Sequence, residues 1–505
     1  MTSPGQASTF GKWMALIAAL LGWLFDGLEM GLFPLVAPDA LLDLLPQGES
    51  VPKWLGIITA LFLVGAATGG VLFGWLGDRI GRVRAMVLSV LTYALVSGLC
   101  GLATNVWQLG ILRFIASLGM GGEWSLGVAL INEIWPDRSR AFLAGLIGAA
   151  ANVGYLLIAV VGIGLSKFLV ETRGFLESIL PGEWVSHLMS HNGWRLMMMF
   201  GALPALLTFL IRLYVPESSR WQREQEKGAT SHWQTRDLLG VLIGSAGALG
   251  IIYLWSEPFD VWLQIVGSIA GFGVALIGFV YPVMRFLQRS DSDATAQMHR
   301  SGPTLSRMLL AAVLSGVALL GTWGTVQQAP TWASEINKNA PKSQQHELAK
   351  ESTQAWAAVG AILGTIVAAL VGGWLGRRIT YFLLCLASFA IVHVFFDPSR
   401  PYDHWFLANV CGVGFITAAF YGWLPLYLPE LFRTNVRATG QGFAFNFGRI
   451  LAAVGVLQLG NLSLLFGSNR VDQLAGACKA LAWIYAVGIV AIWLVPETKG
   501  KPLPD

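Results

Sequence analysis

The chain has 505 residues, of which 55% are apolar and 12% charged, and its net charge is +4. A soluble domain carries about 25% charged residues. Half that share, with a mean hydropathy of +0.60, points to lipid as the solvent. The small net charge, spread through short loops, argues against a nucleic-acid partner. Cys100, Cys385, Cys411 and Cys478 lie far apart in or beside apolar runs and offer neither a disulfide framework nor metal spacing.

A polar tail and Lys12 precede an apolar run at 13–36. That run is too long for a signal h-region, contains two acids and lacks a convincing cleavage site, so it reads as a retained first span. Further spans are expected at about 54–76, 85–103, 106–130, 141–166, 195–214, 237–255, 261–287, 307–331, 353–375, 380–396, 404–428, 439–465 and 476–495, fourteen in all. About 20 apolar residues cross a hydrocarbon core of roughly 30 Å. Helix is the expected state, because backbone groups cannot stay unpaired in lipid and no run alternates like a barrel strand. One set of alternate loops carries clusters such as Arg79, Arg82 and Arg84, or Arg138 and Arg140, or Arg285, Arg289 and Arg300. The intervening loops are acidic or mixed, with Asp39, Asp43, Glu171 and Asp397 among them. The excess of arginine predicts a cytoplasmic side, with both termini inside and the chain in the cell (inner) membrane.

The chain also repeats itself. The charged stretch Gly74-Trp75-Leu76-Gly77-Asp78-Arg79-Ile80-Gly81-Arg82-Val83-Arg84 reads as a tight turn between spans two and three. It returns as Gly373-Trp374-Leu375-Gly376-Arg377-Arg378-Ile379, an offset of 299 (373 − 74) that sets Arg377 opposite Asp78. Glu133 and Arg140 return as Glu430 and Arg437, and Pro216-Glu217 returns as Pro496-Glu497. The expected organisation is a six-helix half at 1–215, linkers with two inserted spans at 216–306, and a second six-helix half at 307–505. The inserted pair reads as a lengthened bridge between the halves.

Ionisable side chains at bilayer depth are costly and therefore point to function. Asp26 and Glu29 share one face of span one at i, i+3, and two like charges there favour a reversible proton site. Arg113 in span four is the natural counter-charge, and Glu123 follows it in Gly119-Met120-Gly121-Gly122-Glu123-Trp124. Arg449 reads as an anchor for an organic anion, since guanidinium matches a carboxylate in bidentate geometry. It stands 12 residues after Arg437, as Asn152 stands 12 after Arg140 (449 − 437; 152 − 140), so both are expected to line one central cavity. Gln327, Gln328, Trp332, Asn446, Tyr155 and Trp124 are candidate wall residues, with Tyr421 and Trp423 beside them. No phosphate-cradling loop, metal cluster or catalytic triad can be assembled, so neither an enzyme nor an ATP-driven pump is expected, and no cofactor.

With these residues in view, the chain resembles the major facilitator superfamily over nearly its whole length. The 74–84 stretch looks like that superfamily's signature loop, and the Pro-Glu motifs at 216 and 496 are similar to those ending each half of sugar porters. Asp26-Gly27-Leu28-Glu29, Gly121-Gly122-Glu123-Trp124 and the fourteen spans resemble the sialate:proton and organic-acid:proton symporters. The resemblance implies two bundles rocking about a central site, a monomeric carrier and a small-molecule substrate moved with protons. It also implies a cytoplasmic gate drawn from Asp78, Arg79, Arg82, Glu133, Arg140, Glu430 and Arg437. The expected function is proton-coupled import of a small organic anion such as sialic acid, lactate or a related carboxylate. The alternatives are a sugar or neutral-metabolite symporter and, less in keeping with a buried arginine, a multidrug exporter.

Overall fold

The computed structural model describes residues 8–135, 139–292 and 301–504. Arg138 and Arg300 of the basic loops lie outside them. Thirteen helices among the described residues are long and apolar enough to span a membrane. The sixth expected span is present but broken. Ser190–Phe200 begins with His191, Asn192 and Gly193 at positive φ, Leu203–Leu206 is a 3-10 turn holding Pro204, and Leu207–Tyr214 completes the crossing. Proline lacks the N–H that a helix needs there.

The helices follow the span order. The first bundle contains α1 (Thr9–Leu44), α2 (Val51–Ile80), α3 (Arg82–Cys100), α4 (Val106–Ile134), α5 (Arg140–Glu177) and α6 (Leu207–Tyr214). The inserted pair is α7 (Leu238–Ser256) and α8 (Val261–Ser292). The second bundle contains α9 (Ser301–Trp323), α10 (Ala349–Leu375), α11 (Arg377–Phe395), α12 (His404–Thr417), α13 (Arg437–Ser463) and α14 (Ile484–Ala491). Within the bundles α4 packs between α2 and α3, α1 lies on α5, α10 on α12 and α9 on α13. The seam between bundles is made by α2 against α13 and by α5 against α10. Gly442 is essential to that seam, because a Cβ there would collide with the Gly70 carbonyl oxygen. Small residues of this kind let helices approach closely in lipid, where apolar burial drives little.

Three sequence readings need correction. The 74–84 stretch is almost all helix: α2 runs through Ile80, α3 starts at Arg82, and the turn is the single residue Gly81 at φ 110°. Its repeat is Gly376 at φ 101°, so the structural offset is 295 (376 − 81), not 299. Arg377 therefore corresponds to Arg82 rather than to Asp78, and Gly373 takes the place of Asp78. The inserted pair is also more than a bridge. Ser245 of α7 shares a 2.9 Å hydrogen bond with Thr68 of α2, and Phe272 and Phe279 of α8 pack edge-on to Phe447 of α13. The hairpin thus lies over the α2/α13 seam. The segments 167–193 and 332–352, between expected spans, are largely helical, through the end of α5 and through Ala329–Asn339.

Each glycine turn is held by a carboxylate. Glu217 accepts from the backbone N–H groups of Arg82 and Val83 at 2.9 and 3.1 Å. Glu497 does the same for Arg377 and Arg378 at 3.1 and 3.0 Å. Burial raises the Glu217 carboxyl above its ordinary range despite these donors. For the more exposed Glu497, desolvation also pushes upward, but backbone donors from Arg378, Arg377, Lys499 and Thr498 outweigh it and lower the carboxyl.

Replacing Gly81 by alanine places a side chain at positive φ and drives its Cβ into the Glu217 carboxylate. The expected loss is roughly 1–3 kcal/mol, read as a lower Tm in detergent. Gly500→Ala, at φ 74° with nothing within 4 Å, should lose less.

Candidate functional site: a central cavity above a paired charge lock

At the arginine-rich end, the two bundles are joined by two clusters related by the internal repeat. In the first, Arg82 donates to Asp78 at 2.7 Å, to Glu133 at 3.2 Å and to the Thr434 carbonyl at 2.6 Å. Arg437 of the second bundle donates to the same Glu133 oxygen at 2.8 Å. Asp78 caps the start of α13, accepting from the Thr439 N–H at 2.8 Å, its hydroxyl at 2.6 Å and the Ala438 N–H at 3.3 Å. A carboxylate at a helix N-terminus is favourable for both its hydrogen bonds and its charge. In the second cluster Arg377 donates to both oxygens of Glu430 at 2.6 and 2.9 Å, and Arg140 of the first bundle donates to Glu430 at 2.8 Å. Each cluster therefore holds one carboxylate between an arginine of its own bundle and an arginine of the other. Arg79, expected in this gate, stands apart: it donates to Thr235 of the linker at 2.7 Å and lies over the Trp75 ring.

Above the lock lies a cavity of about 120 Å³ between the bundles. Trp23 and Asp26 from α1, Trp124 from α4 and Asn152 and Tyr155 from α5 form one side. Thr322, Trp323, Gln327, Tyr421, Phe445 and Arg449 form the other. Asp26 and Arg449 are 6% and 7% exposed, and Arg449 is the one cation among the described lining residues. Trp124 and Phe445 stack face to face across the two bundles, with ring centroids 3.8 Å apart and planes 8° apart. The Arg449 guanidinium lies 5.5 Å from the centre of the Phe445 ring. On the side away from the lock, the Tyr155 hydroxyl donates to Gln327 at 2.8 Å and ties α5 to the Val326–Gln328 turn. That turn exists because α9 stops at Trp323, short of the expected 331, and the chain turns through Gly324 and Thr325.

The i, i+3 pair on α1 is split between two environments. Asp26 enters the cavity. Glu29 points into the first bundle, where it pairs with Arg113 and accepts from the Ser97 hydroxyl at 3.0 Å. Arg113 also sits over the rings of Phe33 and Phe62 at 4.4 and 4.9 Å. Glu123 is fully buried on α4 in the notch left by Gly22, and neither carboxyl oxygen has a hydrogen-bond partner among the described residues.

Several candidate wall residues lie elsewhere. Asn446 is behind the wall, donating to the Gly121 and Gly442 carbonyls at the seam. Trp332 is in the core of the second bundle among Phe395, Phe396 and Phe406, with its N–H on the Val471 carbonyl. Gln328 turns back to the Trp323 carbonyl, and Trp423 donates to the Arg377 carbonyl. Phe445 and Trp23 were not singled out in the sequence. Helical spacing carried the signal, since Phe445 is four residues from Arg449 and Trp23 three from Asp26, which sets each pair on one face.

Comparisons with known proteins agree with this architecture. A family model described as "Sugar (and other) transporter" matches residues 37–239. A putative metabolite transport protein of Haemophilus influenzae is 27% identical, over 99% of both chains. The cis,cis-muconate transport protein of Acinetobacter baylyi is 25% identical, over 92% of this chain and 91% of its own. The structure of the proton:xylose symporter XylE bound to 6-bromo-6-deoxy-D-glucose superposes with a TM-score of 0.66 over 98% of both chains, at 18% identity, a likeness of fold. Fold, family model and full-length relatives agree: the chain has the fold of the solved major facilitator symporter and resembles membrane transporters along nearly its whole length.

Proposed function

We propose that the protein imports a small, planar organic carboxylate together with protons by alternating access, with the arginine-rich end facing the cytoplasm. The observation that carries this reading is the meeting of Arg449 and Asp26, one from each bundle, in a single aromatic-walled cavity. Arginine pairs with a carboxylate through charge-assisted hydrogen bonds, whereas a neutral sugar has no need of it and a greasy cation is repelled. A cavity of about 120 Å³ is close to the roughly 150 Å³ engineered cavity that accepts benzene. A ring or a short conjugated chain fits such a space better than a nine-carbon polyhydroxy acid. The relative that carries cis,cis-muconate, a planar dicarboxylate, supports the same chemical class.

In the proposed cycle Asp26 balances Arg449 while the cavity is empty. An incoming carboxylate takes the guanidinium, and Asp26 accepts a proton from the outer solution. Closing the bundles over a neutralised set of groups costs less than closing over a bare charge, because an unpaired ion in lipid is expensive. The Glu29–Arg113 pair and Glu123, deeper in the first bundle, form the rest of the proton-coupling centre. The two lock clusters then part, the cavity meets the lower proton concentration inside, and Asp26 releases its proton. Rocking of bundles about a midplane site is the geometry this requires.

Proteoliposomes with an alkaline lumen should accumulate labelled cis,cis-muconate, faster as the outer pH falls. Asp26→Asn should still exchange label but no longer concentrate it. Accumulation by Asp26→Asn equal to wild type would remove Asp26 from the coupling. Arg449→Gln loses a charge-assisted contact worth about 1.5–3 kcal/mol, so affinity should fall by about 10- to 150-fold.

For the lock, Glu133→Gln leaves buried Arg82 and Arg437 without their shared counter-charge. Breaking a buried pair costs about 3–5 kcal/mol, all of it in the state closed at that end. Spin labels on the two bundles there should move apart in Glu133→Gln, and an unchanged distance distribution would argue against the lock.

A further inference from the structure

Among the described residues the two halves of the lock differ by one carboxylate, and the position of the one that Asp78 supplies in the first half is a cavity in the second. In the first cluster Gly77 is followed by Asp78, whose fully buried carboxylate caps the start of α13 at Ala438 and Thr439. The repeat places Gly373 after Gly372 in the same relation to the start of α5. The correspondence is fixed by hydrogen bonds, since Arg82 donates to the Gly77 carbonyl and Arg377 to the Gly372 carbonyl. Gly373 lies against Ala141, the repeat partner of Ala438. Glycine brings no carboxylate, and the N-cap residue of α5, Ser139, makes no side-chain capping bond. Where Asp78 fills the space in one cluster, a cavity of about 440 Å³ occurs in the other, lined by Arg140, Gly373, Arg377 and Lys501.

We infer that this cavity is a second binding site, separate from the transport cavity, that takes an oxyanion, a carboxylate or phosphate, in the place Asp78 holds in the other repeat. Arg377 and Lys501 supply charge from the second bundle and the chain's final stretch. Arg140 and the positive end of the long α5 supply it from the first bundle. An anion there contacts both bundles at once, as Asp78 does, and so favours the state in which this end is closed. The ligand binds the closed state better than the open one, which is the condition for shifting the balance between them. The phosphate could be a free ion or the headgroup of an anionic lipid, and the chemistry of recognition is the same.

The probe is inorganic phosphate, titrated against chloride at matched ionic strength. The protein is held in phosphatidylcholine nanodiscs and its Tm is followed by tryptophan fluorescence. A ligand that binds only the folded protein raises Tm saturably. Wild type should show that rise, and Lys501→Gln should need several-fold more phosphate for the same rise. Gly373→Asp should lose the response, because its own carboxylate fills the site. Phosphatidylglycerol nanodiscs without phosphate form the second arm. A rise there that Gly373→Asp removes assigns the site to a lipid headgroup, whereas a rise with phosphate alone assigns it to a soluble anion. The inference is overturned if neither arm raises Tm, or if both variants respond like wild type. A Cβ at Gly373 would stand 3.1 Å from the Ala141 Cβ, so should Gly373→Asp fail to fold, Lys501→Gln decides alone.

Discussion

A charge buried in a lipid-facing protein has to meet its opposite, and this single constraint organises the molecule. Asp78, Arg82, Arg113, Glu123 and Arg437 are at most 1% exposed, a condition that would be prohibitive without partners or protons. The lock answers by sharing: one carboxylate serves two guanidiniums, one from each bundle. Because Arg437 and Arg140 each pair with a carboxylate of the other bundle, separating the bundles breaks both pairs and leaves groups that water must then solvate. In the proposed cycle this interface switches between two discrete arrangements, closed and dry or open and wet.

The central cavity answers the same constraint differently. Its charges, Asp26 and Arg449, come from opposite bundles and are surrounded by aromatic rings and by neutral polar groups such as Asn152, Thr322 and Gln327. In the proposed cycle a carboxylate and a proton replace existing partners without leaving an ion uncompensated. Deeper in the first bundle, Glu123 has no hydrogen-bond partner among the described residues. The inserted hairpin crosses the α2/α13 seam through Ser245 and Phe272, so the proposed rocking of the bundles slides against it.

Much of this was legible in the sequence because periodicity and charge speak plainly in a membrane protein. The apolar runs marked the helices, the Glu133/Arg140 and Glu430/Arg437 echoes marked the halves, and Arg113 found the acid of α1 that its depth demanded. What failed was register and direction. Identical letters aligned Arg377 with Asp78, whereas the backbone aligns the two glycines of positive φ, a feature with no one-letter signature. Trp332 and Asn446 were sought in the cavity because they are polar or aromatic near its depth. Their side chains turn into a bundle core and a helix seam, and which way a helix faces depends on packing rather than on sequence spacing. The break after Trp323 was likewise hidden, and it is what delivers Gln327 to the cavity.

The claim on which the functional account turns is that the cavity recognises a negative charge through Arg449. Isothermal titration of the purified carrier with benzoate and with benzamide, equal in size and ring but differing in charge, tests it directly. The account predicts binding of benzoate, no measurable heat from benzamide, and loss of the benzoate signal in Arg449→Gln. Equal binding of the two compounds, or undiminished benzoate binding by Arg449→Gln, would contradict it.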